Sequence, residues 1–157
     1  MSEQRLVYLD NNATTRVAPE VVEAMLPCLT EHWGNPSSAY SLAAEPGRLI
    51  EEARERVARL IGANSRNIVF TSCGTESNNA ALQGATLANP AKRHIVTTAV
   101  EHSANIKFCR QLEKRGYEVT HLPVDLDGAI DLCDLQAAIR PDTAIVSIMW
   151  ANNETGV

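Results

Sequence analysis

From residue 68 onward, short apolar segments alternate with segments of helical period, and this alternation limits the fold more than any other feature of the chain. Residues 68–71, 94–98, 117–122 and 143–149 read as strands, and residues 75–88, 103–115 and 132–139 as helices. Helices of this length between short strands are crossover connections. The strands should therefore lie mostly parallel in one sheet with helices on both faces, an α/β architecture. In such sheets ligands gather at the C-terminal ends of the strands. Three polar clusters fall at such ends: Ser72 to Thr75, Glu101 with His102, and Asn152 with Asn153.

The first of these clusters has the form of a phosphate seat. Ile68, Val69 and Phe70 are followed by small polar residues and Gly74, and a helix starts at about Thr75. The first N–H groups of a helix lack intrahelical partners and sit at the positive end of its dipole, so an anion is favoured there. Gly74 lets a phosphate approach the backbone, and the Thr75 hydroxyl adds a donor. The same pattern also describes an ordinary strand-to-helix junction in which Thr75 is only a cap.

Upstream, residues 6–9 read as a short strand leading into Asp10, Asn11, Asn12, Ala13, Thr14 and Thr15, a turn-favouring run suited to a site wall or to a solvated turn. Pro19 fits the first turn of a helix running to about Thr30, with Val21, Val22, Met25, Leu26 and Leu29 as its apolar stripe. Trp33 to Ser38, containing Gly34 and Pro36, reads as a loop. Residues 46–61 form the clearest helix: Leu49, Ile50, Ala53, Val57, Leu60 and Ile61 share a face, and Glu52/Arg56 and Glu55/Arg59 are spaced to pair. Gly62 caps it.

Composition narrows the class. The 157 residues are 45% hydrophobic and 21% charged, enough for one packed domain rather than a disordered chain. A net charge of −5 without a basic run argues against a nucleic-acid partner. No membrane span or secretory leader is legible, so the expected compartment is the cytoplasm. Cys28, Cys73, Cys109 and Cys133 are widely spaced, which fits reduced thiols, three of them packing residues, better than a disulfide framework or a metal site.

Taken singly, His102 reads more readily as a helix cap or a satisfied surface residue, and Asn153 as a turn residue. Together with Gly74 and Thr75 they belong to a larger pattern. The segments from Tyr8 to Thr15, Gly34 to Ser38, Phe70 to Ser77, Val100 to His102 and Val146 to Gly156 together resemble the cysteine desulfurases, closest to the NifS-like members of the NifS/IscS group. These are pyridoxal phosphate (PLP) enzymes of the class V aminotransferase fold. The resemblance implies the large domain of a fold type I PLP-dependent transferase, incomplete here. Residues 1–15 would contribute to the site and residues 16–157 would form the N-terminal portion of the PLP-binding domain, without its C-terminal part or the small domain.

The resemblance also implies roles. Gly74 and Thr75 would hold the PLP phosphate, His102 would stack on the pyridine ring and move protons, and Asn153 would hydrogen-bond near the phenolic oxygen. Asn12 and Asn35 would line the substrate side. The parent enzymes take sulfur from L-cysteine, leaving L-alanine and an enzyme persulfide that passes to an iron–sulfur scaffold protein, and they are homodimers. Their cofactor-binding lysine and persulfide cysteine have no match in this chain. Lys92, Lys107 and Lys114 read as surface charges, and Cys73 as part of the phosphate seat rather than as the nucleophile. Tyr40 and Ala43 stand where many members have His and Gly. The 157 residues alone are expected to be inactive. Two rival readings are a selenocysteine lyase or other class V enzyme, and a non-catalytic truncated binding module.

Overall fold

A computed structural model describes residues 7–157. It divides into two compact units, one ending at Phe70 and one running from Thr71 to Val157.

In the first unit the Tyr8 hydroxyl donates to the carbonyls of Asp10 and Thr14, at 2.7 and 3.1 Å, and so gathers the turn that carries Asn12. Helix α1 spans Pro19–Thr30 with proline in its first turn, where the missing N–H costs nothing. Gly34 is buried beneath the short 3₁₀ turn Ser41–Ala43. A Cβ at this position would fall on the Leu42 carbonyl oxygen and 2.9 Å from its carbonyl carbon, so only glycine allows the approach. Helix α2, Ala44–Leu60, begins two residues before the expected start. Its exposed side carries Arg48 paired with both Glu45 and Glu52, and Glu52 also reaches Arg56 at 3.8 Å.

The apolar face expected on α2 is not buried: Leu49 is half-buried, and Ile50, Ala53 and Val57 are exposed. Pro46 and Ala58 are the buried positions, while Leu60 and Ile61 are exposed. The expected Glu55/Arg59 pair does not form among the described residues. The strand expected at residues 68–71 is also absent. Ile68 has extended backbone angles, but its carbonyl accepts from Arg54, whose guanidinium lies 5.0 Å from the centre of the Phe70 ring. A strand is defined by its ladder, and here a side chain has taken the backbone acceptor. Residues 7–9 likewise form no strand, and Leu6 lies outside the described residues.

The second unit holds the sheet. Its elements are α3 (Gly74–Ala88), β1 (His94–Thr98), α4 (Ser103–Glu113), β2 (Glu118–Leu122), α5 (Leu132–Ala138) and β3 (Thr143–Val146). The strand order is β2-β1-β3 and both pairings are parallel, as the alternation requires. All five residues of β1 are buried, so both faces of the central strand are covered. Leu82 of α3, Ile95 of β1, and Cys109 and Leu112 of α4 form the core cluster, with Phe108, Tyr117, Val119 and Ile145 packed around it. Full burial of a side chain such as Leu82 or Ile95 contributes roughly 1.5–3 kcal/mol.

Strand β3 ends at Val146, three residues earlier than expected. Of the cysteines, Cys109 is buried, whereas Cys28, Cys73 and Cys133 are exposed, so burial selects one thiol as a packing residue rather than three. Among the described residues no helix is long and apolar enough to cross a membrane, and no cluster of His, Cys, Asp and Glu could hold a metal ion.

Candidate functional site

Gly74 is the first residue of α3, and Cys73 occupies its N-cap position with extended backbone and no side-chain cap bond. Nothing lies within 4 Å of where a Gly74 Cβ would be, so the start of the helix is open. Glu76 turns back, accepting from the backbone N–H and the hydroxyl of Ser72, both at 2.7 Å, a variant of the capping box. These two bonds hold the Glu76 carboxyl below its usual range, the hydroxyl contributing most. Thr71 and Ser77 hydroxyls meet at 2.6 Å and close the other side of the turn.

The local field at this turn can be read from Cys73. Its thiol is held below the ordinary value chiefly by the Glu76 backbone N–H, then by the Ser72 hydroxyl, with the Thr75 N–H adding to them. Donors aimed at a sulfur at the positive end of a 15-residue helix favour negative charge there.

His102 is the N-cap of α4. Its Nδ1 accepts from the Ala104 N–H at 3.2 Å. That bond requires an unprotonated Nδ1, so the neutral ring carries its proton on Nε2. The histidine is exposed, and it follows the C-terminal end of β1.

Asn153 follows the C-terminal end of β3, the neighbour of β1, and its Nδ2 donates to Glu154 at 3.0 Å. Buried Asn152 shapes this turn. Its Oδ1 accepts from the N–H groups of Glu154 and Thr155, at 2.8 and 3.1 Å, and its Nδ2 donates to the Val100 carbonyl at 3.0 Å. Gly74, Thr75, His102 and Asn153 thus all belong to the second unit, two on α3 and two on loops that leave adjacent parallel strands. Helix α3 packs against both α4 and β3. Asn12 and Asn35 belong to the first unit, where Asn35 Oδ1 accepts from the Ser37 N–H at 3.0 Å.

A family model for aminotransferase class V matches residues 7–157. The chain belongs to the aminotransferase class-V family. A relative from Trichormus variabilis, named cysteine desulfurase 2, is 59% identical over 152 residues, which cover 97% of this chain and 38% of the relative. Among solved structures, one named NifS-like protein is 42% identical with a TM-score of 0.90, over 94% of this chain and 41% of that one. Another, described as SspA in complex with cysteine, is 37% identical with a TM-score of 0.89, over 94% of this chain and 43% of that one. The chain therefore spans about two fifths of the length of the class-V proteins it matches. These likenesses bear out the class V α/β fold and its resemblance to NifS-like cysteine desulfurases.

Asn105 and His94 escaped the sequence reading, and Glu101, placed there at a strand end beside His102, has a supporting role that the reading did not state. Glu101 is buried, and its Oε1 accepts from the Met149 N–H at 2.6 Å while its Oε2 accepts from Asn105 Nδ2 at 3.1 Å. Asn105, also buried, shares the same Nδ2 with Ser147 Oγ at 3.0 Å, and its Oδ1 has no partner. His94 is fully buried in the sheet between Thr143 and Thr120. For Asn105 the available signal was its i,i+4 spacing from Glu101, and that spacing is common among solvated residues.

Proposed function

We propose that the protein is a PLP-dependent cysteine desulfurase and that this chain supplies the part that receives the cofactor's phosphate and ring. The carrying observation is the open start of α3. Gly74 leaves space, Thr75 is exposed, and the amides that lower the Cys73 thiol form a field suited to a phosphate. In this reading Gly74 and Thr75 bind the phosphate. His102 lies against the ring and holds a transferable proton at Nε2, while its Nδ1 stays committed to Ala104. Asn153 orients the ring through its amide, and Asn12 and Asn35 face the substrate. When bound, PLP would supply the electron sink needed to loosen bonds at the substrate's α- and β-carbons.

The reaction proposed for the whole protein moves sulfur from L-cysteine to an enzyme thiolate, leaving L-alanine and a persulfide. An iron–sulfur scaffold protein then takes the sulfur, and the working enzyme is a homodimer. Its cytoplasmic setting is supported by the four free thiols, three of them exposed.

The test is a PLP titration of the chain followed by the phosphorus resonance of the cofactor. Thr75→Ala removes a hydrogen bond to a charged group and should weaken binding roughly tenfold or more. Gly74→Val adds bulk in open space at a residue without positive φ, so it should block the phosphate without disturbing the helix. Unchanged affinity in both variants would overturn the assignment.

A further inference from the structure

The parallel ladder between β1 and β3 ends where Ser147 N–H donates to the Val96 carbonyl at 2.9 Å. Beyond this point side chains continue the connection. Met149 N–H goes to Glu101 Oε1 at 2.6 Å, Asn105 Nδ2 bridges Glu101 Oε2 and Ser147 Oγ, and Asn152 Nδ2 returns to the Val100 carbonyl at 3.0 Å. Glu101 immediately precedes His102, and Met149 lies four residues before Asn153. A carboxylate accepting a half-buried amide makes a strong, short bond, and its removal leaves that N–H without its protein partner.

We propose that Glu101 is a positioning residue whose carboxylate locks the loop after β1 to the segment after β3, so that His102 and Asn153 are held as one rigid pair. Asn105 is its clamp, fixing the second carboxylate oxygen and Ser147 together. The role toward PLP rests on the function proposed above; the mechanical coupling does not. A feature of the clamp predicts which replacement is tolerated. With glutamine at position 101 the Asn105 amide can invert without losing a bond at Oδ1, which has no partner; its oxygen then accepts from the new amide and from the Ser147 hydroxyl, and its N–H groups take the unpartnered position. The Gln oxygen still accepts from Met149.

The experiment is NMR on the chain without cofactor, reading amide exchange at Met149 and the side-chain resonances of His102 and Asn153. Glu101→Ala should speed Met149 exchange by roughly tenfold or more and shift both side chains together, while Glu101→Gln should restore the native pattern. Leu82→Ala, which destabilises the core elsewhere, should move neither. If Glu101→Ala does not fold, Asn105→Ala takes its place and should shift His102 and Asn153 together by a smaller amount. The proposal is overturned if only one of the two side chains moves, if Leu82→Ala moves them as much, or if Glu101→Gln behaves like Glu101→Ala. A PLP titration monitored by phosphorus NMR separates the two readings. Loss of coupling with normal PLP binding refutes the positioning role, and intact coupling without PLP binding refutes the cofactor assignment.

Discussion

The imidazole of His94 and the hydroxyl of Thr143 meet at 2.8 Å across the β1–β3 pair. On its other side the ring meets Thr120 Oγ1 of β2 at 2.8 Å, so one side chain ties all three strands at the N-terminal edge of the sheet. Burial holds the His94 pKa below its ordinary value, with the nearby Arg140 adding to the effect and Glu118 and Asp142 opposing it.

This sets a sign for the pH dependence. The unfolded chain binds a proton at His94 near pH 6.5, and the folded chain does so only at lower pH. Stability from this group is therefore complete above about pH 6.5 and is lost as pH falls through the interval down to the folded value. Urea unfolding of the chain should show a falling midpoint between about pH 7 and pH 5, and His94→Gln should flatten that slope. A midpoint that falls equally in both proteins would refute the assignment.

Gly34→Ala should destabilise the first unit, because the new methyl group meets the Leu42 backbone rather than a movable side chain. Overpacking of this kind costs about 1–3 kcal/mol. Urea unfolding followed by Trp33 fluorescence, in a Trp150→Phe background, should report the loss.

Much of this architecture was legible in the sequence. The five helices appear at their expected places, and β1 and β2 match within a residue, because each has a periodic apolar pattern bounded by turn residues. Two strand expectations failed and a third strand, β3, came out shorter, for a common physical reason. Apolar composition indicates extended chain, but pairing depends on partners remote in sequence. Arg54 occupies the Ile68 carbonyl, residues 7–9 have no ladder, and β3 stops because the Met149 N–H is diverted to Glu101. The candidate site was drawn from the sequence where motif and chemistry coincide, at Gly74, Thr75, His102 and Asn153, all of which the fold places in the second unit. Its supports were legible only in part: Glu101 stands beside His102 at a strand end in the sequence, but nothing in the string shows its bond to Met149 or distinguishes Asn105 from a solvated residue until the fold buries them.

Cys73 should be alkylated by iodoacetamide at a lower pH than an ordinary thiol, since the amides of Glu76 and Thr75 and the Ser72 hydroxyl stabilise its thiolate. Cys109 should stay unmodified until the chain unfolds, being buried and shifted upward by that burial. Peptide mass mapping across a pH series checks both statements.

Borohydride reduction of the chain with PLP should leave no stoichiometric pyridoxyl label at Lys92, Lys107 or Lys114. Lys92 Nζ donates to the Thr143 carbonyl at 3.1 Å, at the start of β3, whereas the candidate site lies past the strand's other end. Lys107 lies on α4 and Lys114 caps its C-terminus. A full label on any of them, with alanine released from cysteine, would show that the chain is a complete catalyst.

Helix α1 has no buried residue, and Val22, Met25, Leu26 and Leu29 lie along it with about half or more of each exposed. Such a surface makes solubility depend on the salt as much as on the protein. Sulfate, excluded from apolar surface, raises the cost of leaving the stripe wet, and at low ionic strength the net charge of −5 keeps copies apart. The chain should therefore salt out at a sulfate concentration at which a Leu26→Glu, Leu29→Glu variant remains dispersed, and light scattering along a sulfate gradient would locate both thresholds.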